Sequence, residues 1–137
     1  MAESETARRL RRGYAAFSRW DFDEMMNELH PDFEFLRGDA SPYSDSIQGR
    51  DAYRAFVEPD AFESMTMEIE AIHETANGAL IQSVATAKGA ASGIEVRNRT
   101  CQLWEMAPDG RALRMTVYND CAAGFAAAGI PQPPGDP

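Results

Sequence analysis

The second half of the chain alternates apolar and polar residues with a period of two, and this pattern constrains the fold more than any other feature. From residue 64, the stretch "SMTMEIEAIHETA" alternates up to Ala71, as a strand with one buried face does. Asn77-Gly78 follows as a two-residue hairpin signal, after which "ALIQSVATAKG", "IEVRNRTCQLWEM" and "RALRMTVYND" read as further strands. Short turns between consecutive strands predict a four-stranded antiparallel meander.

The first half of the chain repeats its apolar residues at the spacing of helices instead. Four of them mark one face of a first helix: Ala7, Leu10, Tyr14 and Phe17. A second helix is predicted to start at Asp21, whose side chain can cap it, and to end at His30-Pro31, because the residue before a proline avoids the helical region. "DFEFLRG" then reads as a short strand, residues 38–48 as a polar loop and "RDAYRAFV" as a third helix.

Helices that precede an antiparallel meander predict an α+β domain, in which a curved, mostly antiparallel sheet wraps around the N-terminal helices. Such a sheet forms a cone, and the space between its concave face and the helices can hold a ligand. The chain has 137 residues, of which 44% are hydrophobic, and these values suit a single domain over residues 1–130. The Pro-rich tail, residues 131–137, is expected to be disordered.

Charge and cysteine content exclude several classes of protein. The net charge of -9 argues against binding to nucleic acid or to anionic membranes, both of which select basic surfaces. The basic run at residues 8–12 is expected on the solvent side of the first helix. Cys101 and Cys121 are too few for a disulfide framework or a structural zinc site, and no metal or other cofactor is expected. Because no signal peptide and no membrane-spanning segment is recognised, a cytoplasmic protein is the default expectation.

One face of the long third strand of the meander has apolar ends and a polar middle. Its residues, at alternate positions, are Ile94, Val96, Asn98, Thr100, Gln102, Trp104 and Met106. The polar middle is typical of the few orienting groups in an otherwise apolar pocket, so Asn98, Gln102 and Trp104 are candidate ligand contacts. The alternative is that this face is exposed or lies against a second subunit. The opposite face, from Glu95 to Glu105, is mostly charged and is expected to face water or a partner.

The last strand ends in three hydrogen-bonding residues, "YND", and alternation gives them different roles. The apolar residues Leu113, Met115 and Val117 are expected to point inward, which carries Asn119 into the pocket. Asp120 then points away from the pocket and is placed to cap the Ala-rich helix that follows. A β-bulge would reverse this assignment, so Asp120 also stays a candidate acid or base.

Four further residues are candidates because of the face or position they occupy. Phe35 and Arg37 share one face of the first strand, where Arg37 either anchors a carboxylate or enolate or lies at the strand's exposed end. His73 shares a face with Met65 and other apolar residues of its strand, so it is either a core histidine or a base that titrates near neutrality. His30, before a proline, either ends a helix or contacts the ligand.

Three stretches together resemble the SnoaL-like branch of the nuclear-transport-factor-2-like superfamily. They are "YAAFSRWDFDEMMNELHPDFEF", "QGRDAYRAF" and "EMAPDGRALRMTVYND", and the likeness covers roughly residues 5–128. The resemblance implies the cone-shaped fold already indicated by the pattern, and a homodimer formed through the outer face of the sheet. It does not specify an activity, because related proteins include ketosteroid isomerase, an epoxide hydrolase, polyketide cyclases and non-catalytic binding domains.

Residue by residue, the resemblance supplies only part of each known active site. Tyr14 matches the helix position from which a tyrosine of ketosteroid isomerase donates to the oxyanion. The base aspartate of that enzyme aligns with Arg37 and its oxyanion-hole aspartate with Gln102, so steroid isomerase activity is not expected. Val117 occupies roughly the position of an aspartate that the epoxide hydrolases require, so their catalytic arrangement is not complete here either. Asp120 is the nearest match to the acidic residue of the polyketide cyclases.

Three functions of different classes therefore remain open. The first is a cofactor-free isomerase, cyclase or hydrolase that acts on an apolar, oxygenated small molecule, with polar groups in the cone stabilising an oxyanion. Its oxyanion donors and its acid or base would come from the candidates above: Tyr14, Arg37, Asn98 or Gln102, and His73, His30 or Asp120. The second is a module that binds an apolar ligand without turnover, and the third is a protein-interaction domain. An enzyme needs a titrating group inside the cone, whereas a binding module does not.

Overall fold

A computed structural model describes residues 3–39, 46–57 and 62–132 of the chain. The helices and strands of these residues are, in order, α1 (Glu5–Ser18), α2 (Phe22–Asn27), β1 (Leu29–Arg37), β2 (Ile47–Gln48), α3 (Arg50–Val57), β3 (Phe62–Thr75), β4 (Gly78–Gly89), β5 (Glu95–Met106), β6 (Ala112–Tyr118) and α4 (Cys121–Ala128). The predicted α+β fold class is confirmed. Parts of the predicted polar loop (residues 40–45) and of the Pro-rich tail (residues 133–137) lie outside the described residues.

The strands form one sheet in the order β2-β1-β6-β5-β4-β3. Neighbouring strands run antiparallel except β1 and β6, which pair in parallel. β3 to β6 are the predicted meander. Helices α1, α2 and α3 pack on the concave face through a continuous apolar core that includes Tyr14, Phe33 and Trp104. The expected cone, a curved sheet around the N-terminal helices, is therefore confirmed.

The hairpin between β3 and β4 lies one residue earlier than its sequence signal suggests. Thr75 pairs with Gly78, so the two turn residues are Ala76 and Asn77, and Gly78 opens β4. Glycine is required at this position by packing, because an added Cβ would lie 2.1 Å from the carbonyl oxygen of Trp104 on β5. The Asn77-Gly78 signal therefore located the hairpin correctly, but Gly78 is needed for close packing against β5 and not for the turn itself.

The boundary between α2 and β1 also differs from the prediction. α2 ends at Asn27 and β1 begins at Leu29, so His30 and Pro31 lie within the strand and do not end the helix. The pairing of β1 with β6 is interrupted after Leu29. Proline has no N–H to donate to a neighbouring strand, and an irregular stretch is where a strand tolerates it.

The free edge of the sheet at β3 is held by two side chains from the end of α1. Ser18 Oγ accepts a hydrogen bond from the backbone N–H of Met67 at 3.0 Å and donates to the carbonyl of the same residue at 3.3 Å. Trp20, in the left-handed region with φ 60°, donates from Nε1 to the Met65 carbonyl at 3.2 Å. These bonds engage backbone groups that an edge strand otherwise exposes. They also attach the end of α1 to the edge strand β3.

The outer face of the sheet carries a second, smaller core beneath α4. Leu80, Cys101, Cys121 and Phe125 form this core, and a disulfide joins Cys101 to Cys121. The sequence interpretation had this side of β5 facing water or a partner. It is wrong at Cys101, which is fully buried, and at Leu103, which packs against the same core, because α4 covers both residues.

The close approach of α4 to the sheet depends on Gly124. A Cβ at this position would lie 3.1 Å from the Cβ of Cys101 and 3.4 Å from the ring of Tyr118. The Cα atoms of Cys101 and Cys121 are 5.3 Å apart, which is within the range that a disulfide requires. Glycine, which disfavours an isolated helix, here lets the helix pack close enough for the bond.

Loss of the disulfide is expected to lower the free energy of unfolding by about 3 kcal/mol, because the bond restricts a loop between residues separated by 20 positions in the unfolded chain. The measurement is urea denaturation of the wild type, with and without reductant, and of a Cys101→Ala/Cys121→Ala variant. Reductant should bring the wild type close to the variant and leave the variant unchanged. If complete reduction leaves the urea unfolding transition of the wild type unchanged, this expectation is wrong.

Candidate functional site

A cavity of about 500 Å³ lies between the concave face of the sheet and helices α1, α2 and α3. Its wall is mostly apolar, and residues that contribute to it include Leu10, Phe17, Phe35, Tyr53, Met67 and Met115. Phe56 also lines the cavity and is 46% exposed, so the cavity reaches the surface beside α3. Both its volume and its apolar wall are typical of small-molecule sites, which occupy roughly 300–1,000 Å³.

A chain of hydrogen bonds crosses the cavity wall from α1 to β5. Trp104 Nε1 donates to the hydroxyl of Tyr14 at 2.9 Å, and that hydroxyl donates to Gln102 Oε1 at 2.7 Å. The same oxygen of Gln102 accepts from Ser83 Oγ at 2.9 Å, while Gln102 Nε2 donates to Thr100 Oγ1 at 2.7 Å. Strand alternation places the three β5 residues on the concave face, opposite the apolar face of α1 that carries Tyr14.

Among these hydrogen-bonded side chains, Thr100 is the one whose hydroxyl proton is not already donated. Its hydroxyl oxygen accepts from Gln102, lines the cavity and is partly exposed. Within the described residues, no acceptor is found for the proton of the Thr100 hydroxyl. The Tyr14 proton, by contrast, is committed to Gln102. Thr100 is therefore a donor that a ligand in the cavity can use, and so is the hydroxyl of Tyr53, for which the described residues likewise show no acceptor.

The two tyrosines in the cavity wall are protonated at neutral pH. Burial raises the pKa of Tyr14, against the smaller lowering effect of the hydrogen bond from Trp104. Burial likewise raises the pKa of Tyr53. Desolvation penalises the phenolate, so both side chains stay neutral. Tyr14 is thus a hydrogen-bond donor and not a base.

Four of the candidates named from the sequence line the cavity: Tyr14, Phe35, Gln102 and Trp104. Arg37 does not line it but lies near its open side, exposed at the end of β1, with its guanidinium carbon 5.8 Å from the ring centroid of Phe56. Asn98 has the same strand parity as Gln102, but it is exposed at the other end of β5 and is not part of the cavity wall. Asn119 is exposed because β6 already ends at Tyr118.

His73 lies on the opposite side of the sheet from the cavity, so its predicted orientation is wrong. The pairing of β3 with β4 shifts between Ile69 and Ala71, and this bulge reverses the faces of the residues that follow. Met65 and the cavity are therefore on one face, whereas His73 packs edge-on against Phe125 of α4. Its Nε2 donates to the side-chain carbonyl of Gln82 at 2.7 Å.

Asp120 and His30 are engaged with neighbouring backbone outside the cavity wall. The carboxylate of Asp120 accepts from the N–H of Ala122 at 3.0 Å and caps α4, which was one of the two roles that the sequence left open. The Nδ1 of His30 accepts from the N–H of Asp32 at 3.0 Å. Neither side chain is placed to exchange a proton with a molecule inside the cavity.

Sequence reasoning missed an ion pair that lines the cavity. Arg9 was expected on the solvent side of α1, but its Nε donates to Glu28 Oε2 at 2.9 Å, and both side chains are only 19% exposed. Both residues line the cavity. The sequence signal that could have revealed this pair is Gly13, one turn after Arg9. A residue without a side chain leaves space on that side of the helix.

No group of three or more His, Cys, Asp or Glu residues that could hold a metal ion is found in the described ranges. Those same ranges also contain no helix that is long and apolar enough to cross a membrane. The polar groups at the cavity include the hydrogen-bonded chain around Tyr14, the hydroxyl of Tyr53 and the ion pair of Arg9 with Glu28.

Comparison with known proteins agrees with the fold. A family model described as SnoaL-like domain matches residues 10–115. No curated protein matches the chain. The solved structures that are similar to it include a nuclear-transport-factor-2-like protein of unknown function from Burkholderia pseudomallei, which is 21% identical with a TM-score of 0.73. The alignment covers 92% of this chain and 98% of that one.

Two other similar structures have names that mention a chemistry or a ligand. A putative SnoaL-like polyketide cyclase from Jannaschia sp. is 17% identical, with a TM-score of 0.72 and coverage of 96% of this chain and 99% of the other. A Mycobacterium tuberculosis protein in complex with estradiol-17beta-hemisuccinate is 14% identical, with a TM-score of 0.71 and coverage of 84% and 93%. At these identities, the likeness shows the fold alone.

The buried tyrosines are expected to make the protein less stable at alkaline pH. Their pKa values are raised on folding, so the stability they contribute is present below the unfolded pKa, about 10, and is lost as pH rises above it. The free energy of unfolding should fall by up to about 1.4 kcal/mol per pH unit for each tyrosine. Urea denaturation between pH 9 and about pH 11 measures this slope. Tyr14→Phe and Tyr53→Phe should each reduce it, and unchanged slopes contradict the expectation.

Asp120→Ala is expected to cost about 1 kcal/mol of stability, because α4 loses its N-terminal cap. Asp120→Asn should retain most of the stability, since an asparagine oxygen accepts the same hydrogen bond. Thermal and urea unfolding of the two variants measure the difference, and ligand binding in the cavity serves as the control. A loss of binding or turnover in Asp120→Asn, without a loss of stability, would assign Asp120 an acid–base role instead.

Proposed function

The chain belongs to the family of SnoaL-like domains, and on that basis we propose that its cavity binds a small, mostly apolar molecule that carries a hydrogen-bond acceptor. The observation that carries the proposal is the cavity of about 500 Å³ with an apolar wall and two hydroxyl donors, those of Thr100 and Tyr53. An apolar wall supplies affinity through burial, and polar contacts orient the ligand.

The groups around the cavity favour binding over cofactor-free acid–base catalysis. Tyr14 and Tyr53 stay protonated, and Arg9 is always protonated. His73 and Asp120, the expected acid or base, are engaged elsewhere. A binding module needs no titrating group inside its cavity, whereas acid–base catalysis does.

An isomerase, cyclase or hydrolase is the second candidate, and Glu28 is the observation that favours it. Its carboxylate lines the cavity and is the acidic group that such chemistry requires. Both of its oxygens, however, accept hydrogen bonds from arginines, at 2.9 Å from Arg9 and 3.5 Å from Arg12. Proton transfer to Glu28 would require this ion pair to open, so ligand binding without turnover is the simpler function.

The comparisons support a small organic ligand without identifying it. The Mycobacterium tuberculosis protein of similar fold was crystallised with a steroid hemisuccinate, an apolar skeleton that carries a polar chain. That protein shares only 14% of its residues with this chain, so the ligand class, and not the ligand, is what the likeness suggests.

A homodimer through the outer face of the sheet also stays a proposal, supported by family membership. Two charged residues of this outer face of β5 are already paired within the chain. Arg99 Nε donates to Glu70 at 2.7 Å, and Glu105 lies 3.5 Å from Arg114. Such pairs near the surface add little stability in any case, so a dimer would rely on other contacts.

The cytoplasmic location likewise stays a proposal. The disulfide of Cys101 with Cys121 weighs against it, because such bonds persist mainly in oxidising compartments.

Ala85→Phe is expected to weaken binding of N-phenylnaphthylamine, a neutral probe that fluoresces in apolar surroundings, by about tenfold or more. The added ring occupies the cavity that Ala85 lines. Thr86→Phe is the matched control, because the next residue of β4 lies on the opposite face of the sheet. Titration of each protein into the probe, followed by fluorescence, gives the dissociation constants.

Thr100→Val tests the polar contact in the same assay, because it removes the donor and keeps the shape of the side chain. The variant should bind a naphthalene probe that carries a ketone more weakly than the wild type does, and N-phenylnaphthylamine equally well. If the wild type binds neither probe, or if Ala85→Phe and Thr86→Phe behave alike, the proposed ligand site is wrong.

A further inference from the structure

One end of the cavity is lined by charged side chains that join three parts of the fold. Arg9 extends from α1, donates from Nε to Glu28 Oε2 at 2.9 Å, and donates from Nη1 to the carbonyl of Asp109 at 3.4 Å. Glu28 caps the C-terminal end of α2, and Asp109 lies in the turn between β5 and β6. We call Arg9, Arg12 and Glu28 the charged end of the cavity.

The charged end has two arginines and one carboxylate, although Arg12 is half exposed and does not itself line the cavity. Glu28 is the only carboxylate in the set, and it receives Arg12 Nε at 3.5 Å in addition to Arg9. The carboxylate of Asp109 is held by Arg111 Nε at 2.7 Å and does not offset the positive charge of these arginines. Glu5 reaches Arg12 only at 3.9 Å, and its side chain is 65% exposed, so water screens that interaction.

Arg9 still has donors that a ligand can use. A guanidinium group has five N–H donors, and the bonds to Glu28 and to the Asp109 carbonyl engage two of its nitrogens. Within the described part of the chain, no further acceptor is found for the guanidinium. A cation that is only 19% exposed and lines an apolar cavity favours an anionic acceptor, since the low polarity strengthens the interaction.

The charged end lies far from the hydroxyl of Thr100. Met106, which lines the cavity near the β5–β6 turn, is six residues after Thr100 on β5, or about 20 Å along an extended strand. Ala112, the neighbour of Met106 across the hairpin, donates its N–H to the Glu28 carbonyl at 2.9 Å, which places Glu28 at this end. The rest of the cavity wall is mostly apolar, and its polar groups include the hydrogen-bonded chain around Tyr14 and the hydroxyl of Tyr53.

We propose that the charged end binds the anionic group of an amphipathic organic acid, such as a carboxylate or a sulfonate, whose apolar body fills the cavity. Arg9 is the residue that contacts the anion, and Glu28 holds the guanidinium in place and limits its net charge. This inference deepens the proposed function and rests on it, because it names the chemical class of a ligand for the same cavity.

Two related fluorescent probes separate the inference from the proposed function. N-phenylnaphthylamine is neutral, and anilinonaphthalene sulfonate has the same rings with a sulfonate that stays ionised throughout the accessible pH range. The ratio of their dissociation constants therefore reports the contribution of the anionic group, while binding of the neutral probe alone reports the apolar cavity.

Arg9→Met is expected to weaken binding of the sulfonate probe by about tenfold and to change binding of the neutral probe by less than about twofold. Arg8→Met is the matched control, because Arg8 is the adjacent residue, is half exposed and is paired with Glu5 away from the cavity. Arg8→Met should leave both constants unchanged. Thermal unfolding of each variant checks that the fold is retained.

Glu28→Gln keeps the test decisive even if Arg9→Met does not fold. The glutamine still accepts a hydrogen bond from Arg9, but the negative charge is lost. Binding of the sulfonate probe should therefore become tighter by about threefold or more, while binding of the neutral probe should not change. Raising the salt concentration should weaken binding of the sulfonate probe but not binding of the neutral probe.

Each outcome of these titrations decides between the two ideas. If the wild type binds no neutral probe, the proposed function fails. If it binds the neutral probe but Arg9→Met and Glu28→Gln leave the ratio of the two constants unchanged, only the anion site is wrong. If Arg9→Met weakens both probes equally while it stays folded, Arg9 shapes the cavity and does not recognise an anion.

Discussion

The hydrogen bond from the Tyr14 hydroxyl to Gln102 Oε1, at 2.7 Å, fixes the distance between α1 and the middle of the sheet. Both side chains are almost completely buried, so each must satisfy its polar atoms within the protein. Trp104 and Ser83 complete the arrangement from neighbouring positions, and no buried side-chain N or O atom among the described residues is left without a partner. The helix therefore cannot collapse onto the strands without breaking several bonds, and the space beside Gly13 and Phe35 stays open.

The two faces of the sheet have different functions because different elements cover them. The concave face is only partly filled by α1, α2 and α3, and the remaining space is the cavity. The outer face is covered over part of its length by α4, which the disulfide and Gly124 hold close. Side chains that alternate along one strand therefore face either the cavity or a packed helix. On β5, Gln102 faces the cavity while Cys101 is bonded to α4.

How much of the site could be read from the sequence depends on how regular each strand is. β5 has no irregularity between Thr100 and Trp104, so alternation placed Gln102 and Trp104 on the cavity face correctly. β3 contains a bulge after Ile69, and the same reasoning assigned His73 to the wrong face. A bulge inserts one residue without a mark in the apolar pattern, so alternation alone does not reveal it. Asn98 shows a different limit, because parity gives the face of a residue but not whether a helix covers it.

The sequence by itself determined the fold class, the strands of the meander and the apolar face of α1 with Tyr14, and it offered the capping of α4 as one of two roles for Asp120. These follow from local spacing and local hydrogen bonds, which act between residues close in the chain. Only the tertiary structure decided the pairing of Arg9 with Glu28 and of Cys101 with Cys121, whose partners are 19 and 20 positions apart. Those contacts depend on how elements pack, and packing is set by the whole core and not by any single segment. For that reason the sequence indicated a cavity between the helices and the sheet, whereas the charge at its end became visible only in the folded chain.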